Sequence, residues 1–348
     1  MTGTSADALD GCIVSFEKEF SLEGSHSINL GKSYKEKYEK CIRNGHKTIK
    51  DSKDLLKIEN ELTKKTEHLI NKLLKNTNIS SKDIHAIGFS GQTIFHTVEK
   101  SYQVGNPQKI SDNLNINVIS DFRNFDISKG GMGAPLIPEF HKYIYSQEDR
   151  KKLIVNIGGI SNGTYLDGNK IAAASDVGPG NCLIDFVANK FFNKPYDENG
   201  YESSKGNIDI KFLNLLIGKT SKMKYPRSDD KNDYYVLLNQ RDKKIMPNDL
   251  LRTLTEFTAE KIKEFYFFCK KPDEVIFHGG GTKNNFLMST INNKINVDIK
   301  TTDEKIPSQY VEAAAFAYLA FLKKGKLFTS QQWKILHNRM LFLHLDFL

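Results

Sequence analysis

The chain has 348 residues, 39% of them hydrophobic and 26% charged, with a formal net charge of +8. Single hydrophobic cores stop growing near about 250–300 residues, so this length predicts two domains. No apolar run approaches the ~18 residues of a membrane span, and the start MTGTSADALD lacks a basic, apolar leader, so we expect a cytoplasmic protein without a membrane partner. The lysines alternate with acids, as in KSYKEKYEK, which favours a solvated surface over nucleic-acid binding.

The four cysteines are widely spaced: Cys12, Cys41, Cys182 and Cys269. They form no CxxC pair, and no histidines are grouped with them at metal-ligand spacing. This pattern indicates neither a disulfide framework nor a zinc site. We therefore expect reduced thiols.

The first predicted element is an amphipathic helix over 54–74, where leucine and isoleucine recur at helical spacing. Short apolar runs of buried-strand type follow at 84–89 and 116–120. The segment 120–141, SDFRNFDISKGGMGAPLIPEFH, has no helical or strand period, so an ordered loop is expected there.

Two further strands are predicted at 152–157 and 273–278. Three of the four strands run into glycine turns, written FSGQT, GGISNGT and GGGTKNN, and the last turn precedes a predicted helix, FLMSTINN. Glycine lets backbone N–H groups approach a phosphate, and ligands of open α/β sheets bind at the carboxyl ends of strands. The sequence thus predicts an α/β protein with a phosphate ligand, although none of these turns matches the common P-loop or dinucleotide patterns.

The order of motifs between Met1 and about Leu322 resembles the anhydro-N-acetylmuramic acid kinase family of the sugar kinase, Hsp70 and actin superfamily. The motifs are MTGTSADALDG, FSGQTIFH, QVGNPQ, SDFRNFDISKGGMGAPLIPEFH, NIGGISNGTYL, SDVGPGNCLID, HGGGTKNNFLM and TTDEKIPSQYVEAAAFAYLA. The resemblance implies two actin-like, ribonuclease H-like α/β domains with an interdomain ATP cleft. The first would comprise 1–150 plus 311–348, and the second 151–310.

The resemblance also implies a homodimer that uses ATP and Mg²⁺ in peptidoglycan recycling. The family opens 1,6-anhydro-N-acetylmuramic acid with water and transfers phosphate from ATP, which yields N-acetylmuramic acid 6-phosphate and ADP. Two alternatives are an amino-sugar kinase of the same fold with another substrate, and a nucleotide-binding regulator without turnover.

Asp176 stands directly before the turn GPGN. An acid at such a place can be a turn or cap residue, because its carboxylate accepts backbone N–H bonds. By resemblance Asp176 is the general base that activates water, and Glu312 also faces the active site. For Glu312 the alternative is a helix-start acid favoured by the helix dipole.

By resemblance, three loops bind the nucleotide. The N-terminal loop would hold the β- and γ-phosphates, with Asp7 near the magnesium; a capped helix beginning at Ala6 is a compatible alternative. The nucleotide-binding residues are Gly3, Thr4, Ser5, Ala6, Asp7, Ala8, Leu9 and Asp10 in the first loop, Gly158, Gly159 and Asn162 in the second, and Gly279, Gly280, Gly281 and Asn284 in the adenosine loop. For each glycine alone, a tight turn is the alternative.

The expected sugar-binding residues are Gln92, Asp121, Arg123, Gly130, Gly131, Gly133, Gly178 and Asn181. Arg123 is a candidate partner for the lactyl carboxylate, because a guanidinium can bind a carboxylate through two hydrogen bonds. The alternative is a structural ion pair of Arg123 with Asp121 or Asp126.

The chain departs from the family in several places. Members usually carry a strand of the type YIGLMSGTS, whereas this chain begins within that motif, so either a longer true chain or a weakened nucleotide site is expected. Ser90 stands where a histidine is usual, and RSDDKN at 227–232 replaces KSTGRE. We assign no function to the tail after Lys326.

Overall fold

A computed structural model describes residues 1–2, 6–44 and 53–330. The chain divides into two compact units, Met1–Phe140 with Glu312–Leu348, and His141–Val311. The predicted boundaries were 150/151 and 310/311, close to these. Residues 141–150 belong to the second unit, unlike in the prediction, and there Gly168 N donates to Arg150 O at 3.1 Å. Both units combine helices and strands, which confirms the α/β class.

Within the described residues, the strands in chain order are β1 (Ala8–Ser15), β2 (Ser21–Asn29), β3 (Ile87–Gly88), β4 (Gln92–His96), β5 (Ser101–Val104), β6 (Val118–Ser120), β7 (Lys151–Ile157), β8 (Ile160–Asp167), β9 (Lys170–Pro179), β10 (Glu274–His278), β11 (Ile299–Thr301) and β12 (Lys326–Phe328). The helices are α1 (Lys32–Asn44), α2 (Lys53–Thr77), α3 (Pro107–Leu114), α4 (Phe122–Ser128), α5 (Pro138–Tyr145), α6 (Cys182–Phe192), α7 (Ile210–Thr220), α8 (Lys231–Leu237), α9 (Pro247–Phe268), α10 (Asn285–Ile295) and α11 (Val311–Phe321).

The first unit builds its core around α2. The stripe that predicted this helix is buried as expected, and it consists of Leu55, Ile58, Leu62, Leu69 and Leu73. The helix packs on the antiparallel pair β1 and β2, where Leu69 and Leu73 lie against Gly11. A second sheet has the order β12, β6, β3, and β4 pairs with β5. The predicted strands at 84–89 and 116–120 are confirmed as β3 and β6, each shorter than expected.

The second unit contains a five-stranded sheet of order β11, β10, β7, β8, β9. Strand β10 runs parallel to β7 and β11, while β8 and β9 are antiparallel to their neighbours. The apolar residues of β7 and β10 are fully buried, as near-continuous apolar strand sequences predict. Helices α9 and α10 cover the sheet with Phe265, Leu287 and Ile291. Among the described residues, no helix is long and apolar enough to cross a membrane.

Two local predictions are wrong. The segment 120–141 is not a loop throughout, because α4 and the start of α5 lie within it. Phe122 on α4 packs against Phe316 with ring centroids 5.2 Å apart; a helix of seven residues is too short to display a clear period. The alternative of a helix beginning at Ala6 is also wrong, because strand β1 begins at Ala8 and pairs with β2 along its whole length.

Candidate active site

The glycine loops of the second unit lie side by side at one end of its sheet. In the parallel pair β7 and β10, His278 stands opposite Asn156, so both strands end at the same edge. Gly158 and Gly159 follow β7, and Gly279 follows β10 directly. The second and third predicted nucleotide loops are thereby brought together, as expected for the carboxyl ends of parallel strands.

Asp176 lies on the neighbouring part of this edge. It is a residue of β9 rather than of the turn, and it stands directly opposite Asn162 of β8. Directly opposite residues in an antiparallel pair present their side chains to the same face of the sheet. The predicted base and a predicted phosphate-loop residue are therefore neighbours.

The Asp176 carboxyl group is half-buried, and Oδ2 accepts a hydrogen bond from Asp229 N at 2.9 Å. Burial raises the pKa of Asp176 to about 6, and the negative charge of Asp229 adds to this. The Asp229 N–H, Arg227 and the Ser228 hydroxyl oppose the increase in pKa. A carboxylate with a pKa near neutrality is a stronger proton acceptor than an ordinary aspartate.

The residues around Asp229 were missed as site residues, because RSDDKN was treated only as a departure from the expected motif. Arg227 Nε lies 2.8 Å from Asp229 Oδ1, and Tyr234 OH donates to Asp229 Oδ2 at 2.6 Å. Lys231 lies at the second glycine loop, where a Cβ added to Gly159 would come within 3.0 Å of Lys231 Nζ. The sequence offered one signal: a run of charges between two predicted elements that includes acids beside an arginine.

The turn after β9 packs tightly on the loop after β7. Asn181 N donates to Gly158 O at 2.8 Å, and Gly180 N donates to Gly159 O at 3.0 Å. A Cβ at Gly180 would lie 2.2 Å from Gly158 O, and one at Gly178 would lie 2.8 Å from Lys261 Cβ. Glycines are therefore required here by close approach of chains, which agrees with the turn alternative as well as with the functional interpretation.

The third glycine loop forms a cradle before α10. Gly279 has a φ of +88°, and a Cβ there would lie 2.2 Å from Asn156 Oδ1. A Cβ at Gly281 would lie 2.2 Å from Ile157 Cγ2, whereas a Cβ at Gly280 would have no heavy atom within 4 Å. Asn284 is buried, and its Oδ1 accepts from Leu287 N at 3.0 Å as the N-cap of α10. The open side at Gly280 suits a ligand that approaches the backbone closely.

In the first unit, α4 holds the glycine loop at 130–133. Asp126 Oδ2 accepts from Gly133 N at 2.8 Å, and Arg123 Nη1 donates to Gly133 O at 2.9 Å. Gly130 and Gly131 are exposed, whereas Gly133 is buried. Within the described part of the chain Arg123 donates to Gly133 O and forms no ion pair with Asp121 or Asp126, which contradicts the structural-pair alternative.

Arg123 interacts electrostatically with Glu312, which begins the first unit's share of α11. Burial lowers the pKa of Arg123, and the Glu312 carboxylate opposes this. Burial also raises the pKa of Glu312, with Arg123 acting in the opposite direction. Two predicted site residues that are far apart in the sequence are thus brought together within the first unit.

Two further predicted sugar ligands have structural partners. Asp121 has a φ of +59°, and its Oδ1 accepts from Asn124 Nδ2 at 2.6 Å. Non-glycine residues rarely adopt this conformation, and those that do are enriched at functional sites. Gln92 is fully buried, and its Oε1 accepts from Tyr34 OH at 3.0 Å. Both assignments to sugar binding stay predictions.

The predicted N-terminal phosphate loop is only partly described. Gly3, Thr4 and Ser5 lie outside the described residues. Ala6 is buried with a φ of +52°, and Ala8, Leu9 and Asp10 belong to β1. Asp7 is exposed, and its Oδ1 lies 2.7 Å from Lys35 Nζ. The described residues contain no group of three histidine, cysteine or acidic side chains that could hold a metal ion.

Comparison with known proteins identifies one family. A family model described as anhydro-N-acetylmuramic acid kinase matches residues 1–331. A protein of that name from Gamma-proteobacterium EBAC31A08 is 33% identical, over 92% of this chain and 90% of its own length. Another from Haemophilus influenzae is 31% identical, over 94% of this chain and 91% of its own.

Among solved structures, the chain is similar to an activator of the 2-hydroxyisocaproyl-CoA dehydratase from Clostridium difficile with bound ADPNP. The TM-score is 0.46 at 14% identity, over 91% of this chain and 92% of that chain. A ROK family glucokinase from Streptomyces griseus in complex with glucose and AMPPNP gives a TM-score of 0.42 at 9% identity, over 90% and 96% of the two chains. Likenesses this weak carry no argument about the present chain.

Proposed function

Because this chain belongs to the anhydro-N-acetylmuramic acid kinase family, we propose that it opens 1,6-anhydro-N-acetylmuramic acid and phosphorylates it with ATP in cell-wall recycling. The products are N-acetylmuramic acid 6-phosphate and ADP. The observation that carries the proposal is the half-buried Asp176 carboxyl group, whose pKa is raised to about 6, beside the glycine loops of the second unit.

In the proposed reaction a water oxygen bonds to the anomeric carbon while the bond from that carbon to O6 breaks. O6 then bonds to the γ-phosphorus of ATP, and ADP leaves. Asp176 accepts the proton of the water, a task that suits a carboxylate whose pKa lies close to neutral pH. The hydrogen bond from Asp229 N to Asp176 Oδ2 holds that carboxylate in one orientation.

The glycine loops support the assignment of phosphate and nucleotide binding to the second unit. Gly158 and Gly159 turn beside the β9 end, and Gly280 leaves its backbone open to close approach. Backbone N–H groups in such turns stabilise the charge of a transferred phosphoryl group. Asn284 supports this site as the cap of α10, which fixes the end of the adenosine loop.

Mg²⁺ would neutralise charge on the phosphate oxygens, and Asp7 is the proposed residue near it. Protein-bound Mg²⁺ commonly keeps several waters and uses one or two carboxylates with substrate phosphates. An exposed carboxylate such as Asp7 fits that requirement without a dense protein cluster, although it must first release Lys35.

For the sugar, we propose that Arg123 binds the lactyl carboxylate. Its guanidinium donates to Gly133 O and lies near Glu312, and among the described residues it forms no ion pair with an aspartate. Asp121, Gly130 and Gly131 are the proposed neighbours. The homodimer and the cytoplasmic location implied by the resemblance are further proposals.

Replacing Arg123 by Lys should raise KM for the anhydro sugar about tenfold and change KM for ATP less than twofold. Lysine keeps the charge but cannot form two parallel hydrogen bonds with a carboxylate. Steady-state kinetics with each substrate varied in turn will measure this. An equal increase in both KM values would contradict a role confined to the sugar.

The pH dependence of kcat/KM should follow the ionisation of Asp176. Because burial raises its pKa to about 6, the base is protonated below that pH, and kcat/KM should fall about tenfold per pH unit there. A profile measured from pH 4.5 to 8 tests this. A flat profile down to pH 5 would show that Asp176 does not accept the proton.

The proposed function is tested by ADP release with ATP, Mg²⁺ and one of three sugars: 1,6-anhydro-N-acetylmuramic acid, N-acetylmuramic acid or N-acetylglucosamine. We expect release with the anhydro sugar only, and a phosphorylated product at O6. Release with N-acetylglucosamine alone would instead identify another amino-sugar kinase. ATP binding without release in any arm would identify a regulator.

A further inference from the structure

Residues 227–229, called the 227–229 segment, lie along β9, the strand that carries Asp176. Asp176 N donates to Arg227 O at 3.0 Å, and Arg227 N donates to Ser175 Oγ at 2.9 Å. Arg227 Nη2 also donates to Val177 O. Because β8 occupies the other side of Asp176, the segment covers the remaining edge of β9. The backbone of Asp176 is hydrogen-bonded at both groups, since its N–H donates to Arg227 O and its carbonyl oxygen accepts from Ser175 Oγ at 2.7 Å.

Within this segment, Asp229 is the residue whose peptide group and side chain both act on Asp176. Its N–H donates to Asp176 Oδ2 at 2.9 Å. Its own carboxylate has no exposed surface and is paired with Arg227 Nε at 2.8 Å. Tyr234 OH donates to the second oxygen at 2.6 Å. Removing a carboxylate from water is unfavourable unless hydrogen-bond and charge partners compensate it, so the buried Asp229 carboxylate depends on both donors.

We infer that Asp229 is a positioning residue for the Asp176 carboxylate. Its N–H orients the carboxylate, and its buried negative charge makes the carboxylate a better proton acceptor by repelling a second negative charge. The inference rests on the proposed role of Asp176 as the base. Two carboxylates with different surroundings can in this way take different roles, one fixed and one that exchanges a proton.

The charges near Asp176 have opposing effects, so the net influence of Asp229 has to be isolated. Burial and the Asp229 charge raise the pKa of Asp176, whereas the hydrogen bond from Asp229 N, the Arg227 charge and the Ser228 hydroxyl lower it. From α9, Lys261 lies under Gly178 and is paired with Glu264. Around the segment, Tyr225 stacks on the Arg227 guanidinium at 4.3 Å, and Tyr234 contacts Asp229 from α8.

The test is Asp229→Asn, which keeps the peptide N–H and the side-chain shape, removes the charge and replaces one of the two accepting oxygens by an NH2 donor. Arg227 is then no longer neutralised, which acts in the same direction on Asp176. We expect the acid limb of the kcat/KM profile to move down by about one pH unit. The plateau value of kcat should fall about threefold to tenfold, because a weaker base accepts the proton less readily, and KM for the sugar should stay within twofold.

Two controls separate positioning from a structural role. Asp233→Asn removes an exposed charge from the same region and should leave the acid limb unmoved. Tyr234→Phe removes a hydrogen bond to Asp229 but keeps its charge, so the acid limb should stay at or above its parent position. A loss of activity in Asp229→Asn with an unmoved acid limb, or the same downward movement in Tyr234→Phe, would overturn the inference.

A second readout does not depend on the sugar reaction. The Asp176 carboxyl group can be titrated by carbon NMR in the parent protein and in both variants, with Asp176→Asn used for assignment. A lower pKa of Asp176 in Asp229→Asn supports the inference even if no sugar is phosphorylated, in which case only the proposed function fails. An unchanged pKa overturns the inference. If Asp229→Asn does not fold, the titration of Tyr234→Phe decides, since a downward shift there contradicts the role of the charge.

Discussion

Replacing Asp176 by Asn should reduce kcat for phosphoryl transfer about 10³-fold while ATP binding stays within twofold. A positioned general base contributes typically about 10²–10⁴-fold, and asparagine cannot accept the proton of the attacking water. Asparagine can still accept the hydrogen bond from Asp229 N, so the geometry of β9 should persist. The measurement is ADP release with the anhydro sugar, together with ATP affinity from calorimetry.

Stability supplies an independent check on this variant. The folded protein holds the pKa of Asp176 at about 6, well above the usual value of an aspartate carboxyl group, so folding favours the protonated form. The ionised carboxylate therefore costs stability above pH 6, and the cost disappears as the pH falls from 6 towards 4. Asp176→Asn should melt at a higher temperature than the parent at pH 7 and at a similar temperature near pH 4.

The matched control is Asp167→Asn, because Asp167 is exposed at the far end of the same β8–β9 hairpin. This variant should keep its activity and its melting temperature. If Asp176→Asn remains fully active while the control behaves as expected, Asp176 is a structural residue of β9. In that case the base has to be sought elsewhere.

Substitution by alanine should destabilise the protein at one of two adjacent glycines and leave its stability unchanged at the other. Gly279→Ala should lower the free energy of unfolding by about 2–4 kcal/mol, because the new Cβ would lie 2.2 Å from Asn156 Oδ1 in a backbone with φ +88°. Gly280→Ala should leave the free energy of unfolding unchanged within about 0.5 kcal/mol, since no heavy atom lies within 4 Å. Denaturant titration will measure both.

The kinetic effects of the pair should also differ. If the open side at Gly280 receives the nucleotide, a methyl group there should raise KM for ATP on the order of tenfold, as one misplaced methylene does in a filled pocket. Gly218→Ala is the control, because Gly218 has an equally open surrounding but lies on α7. An unaffected KM for ATP in Gly280→Ala, with the protein folded, would remove this loop from the nucleotide site.

The sequence predicts several of the elements and the proximity of the glycine loops, because each depends on local patterns. The leucine stripe of α2 and the apolar runs of β7 and β10 are long enough to show their period. Because parallel strands end at the same edge of a sheet, Gly158 and Gly279 can be predicted to lie close together without information on other long-range contacts.

Contacts between distant segments could not be predicted in this way. The sequence places Asp176 directly before a turn of glycine and proline and leaves a turn role open, yet pairing with β8 extends β9 through Pro179. Its partner Asp229 lies 53 residues further along the chain, and no helical or strand periodicity in the sequence relates the two positions. The electrostatic interaction of Arg123 with Glu312 likewise depends on tertiary packing, which a single sequence does not reveal.

The division of the chain has a consequence for folding during synthesis. The second unit is continuous, from His141 to Val311, whereas the first unit combines residues on both sides of it. Strand β12 pairs with β6, where Lys326 stands opposite Ser120, and α11 contributes Phe316 and Leu319 to the core that contains Phe122. The ribosome therefore delivers a complete second unit while the first still lacks α11 and β12, and we expect the closing of that long loop to be a late step in folding.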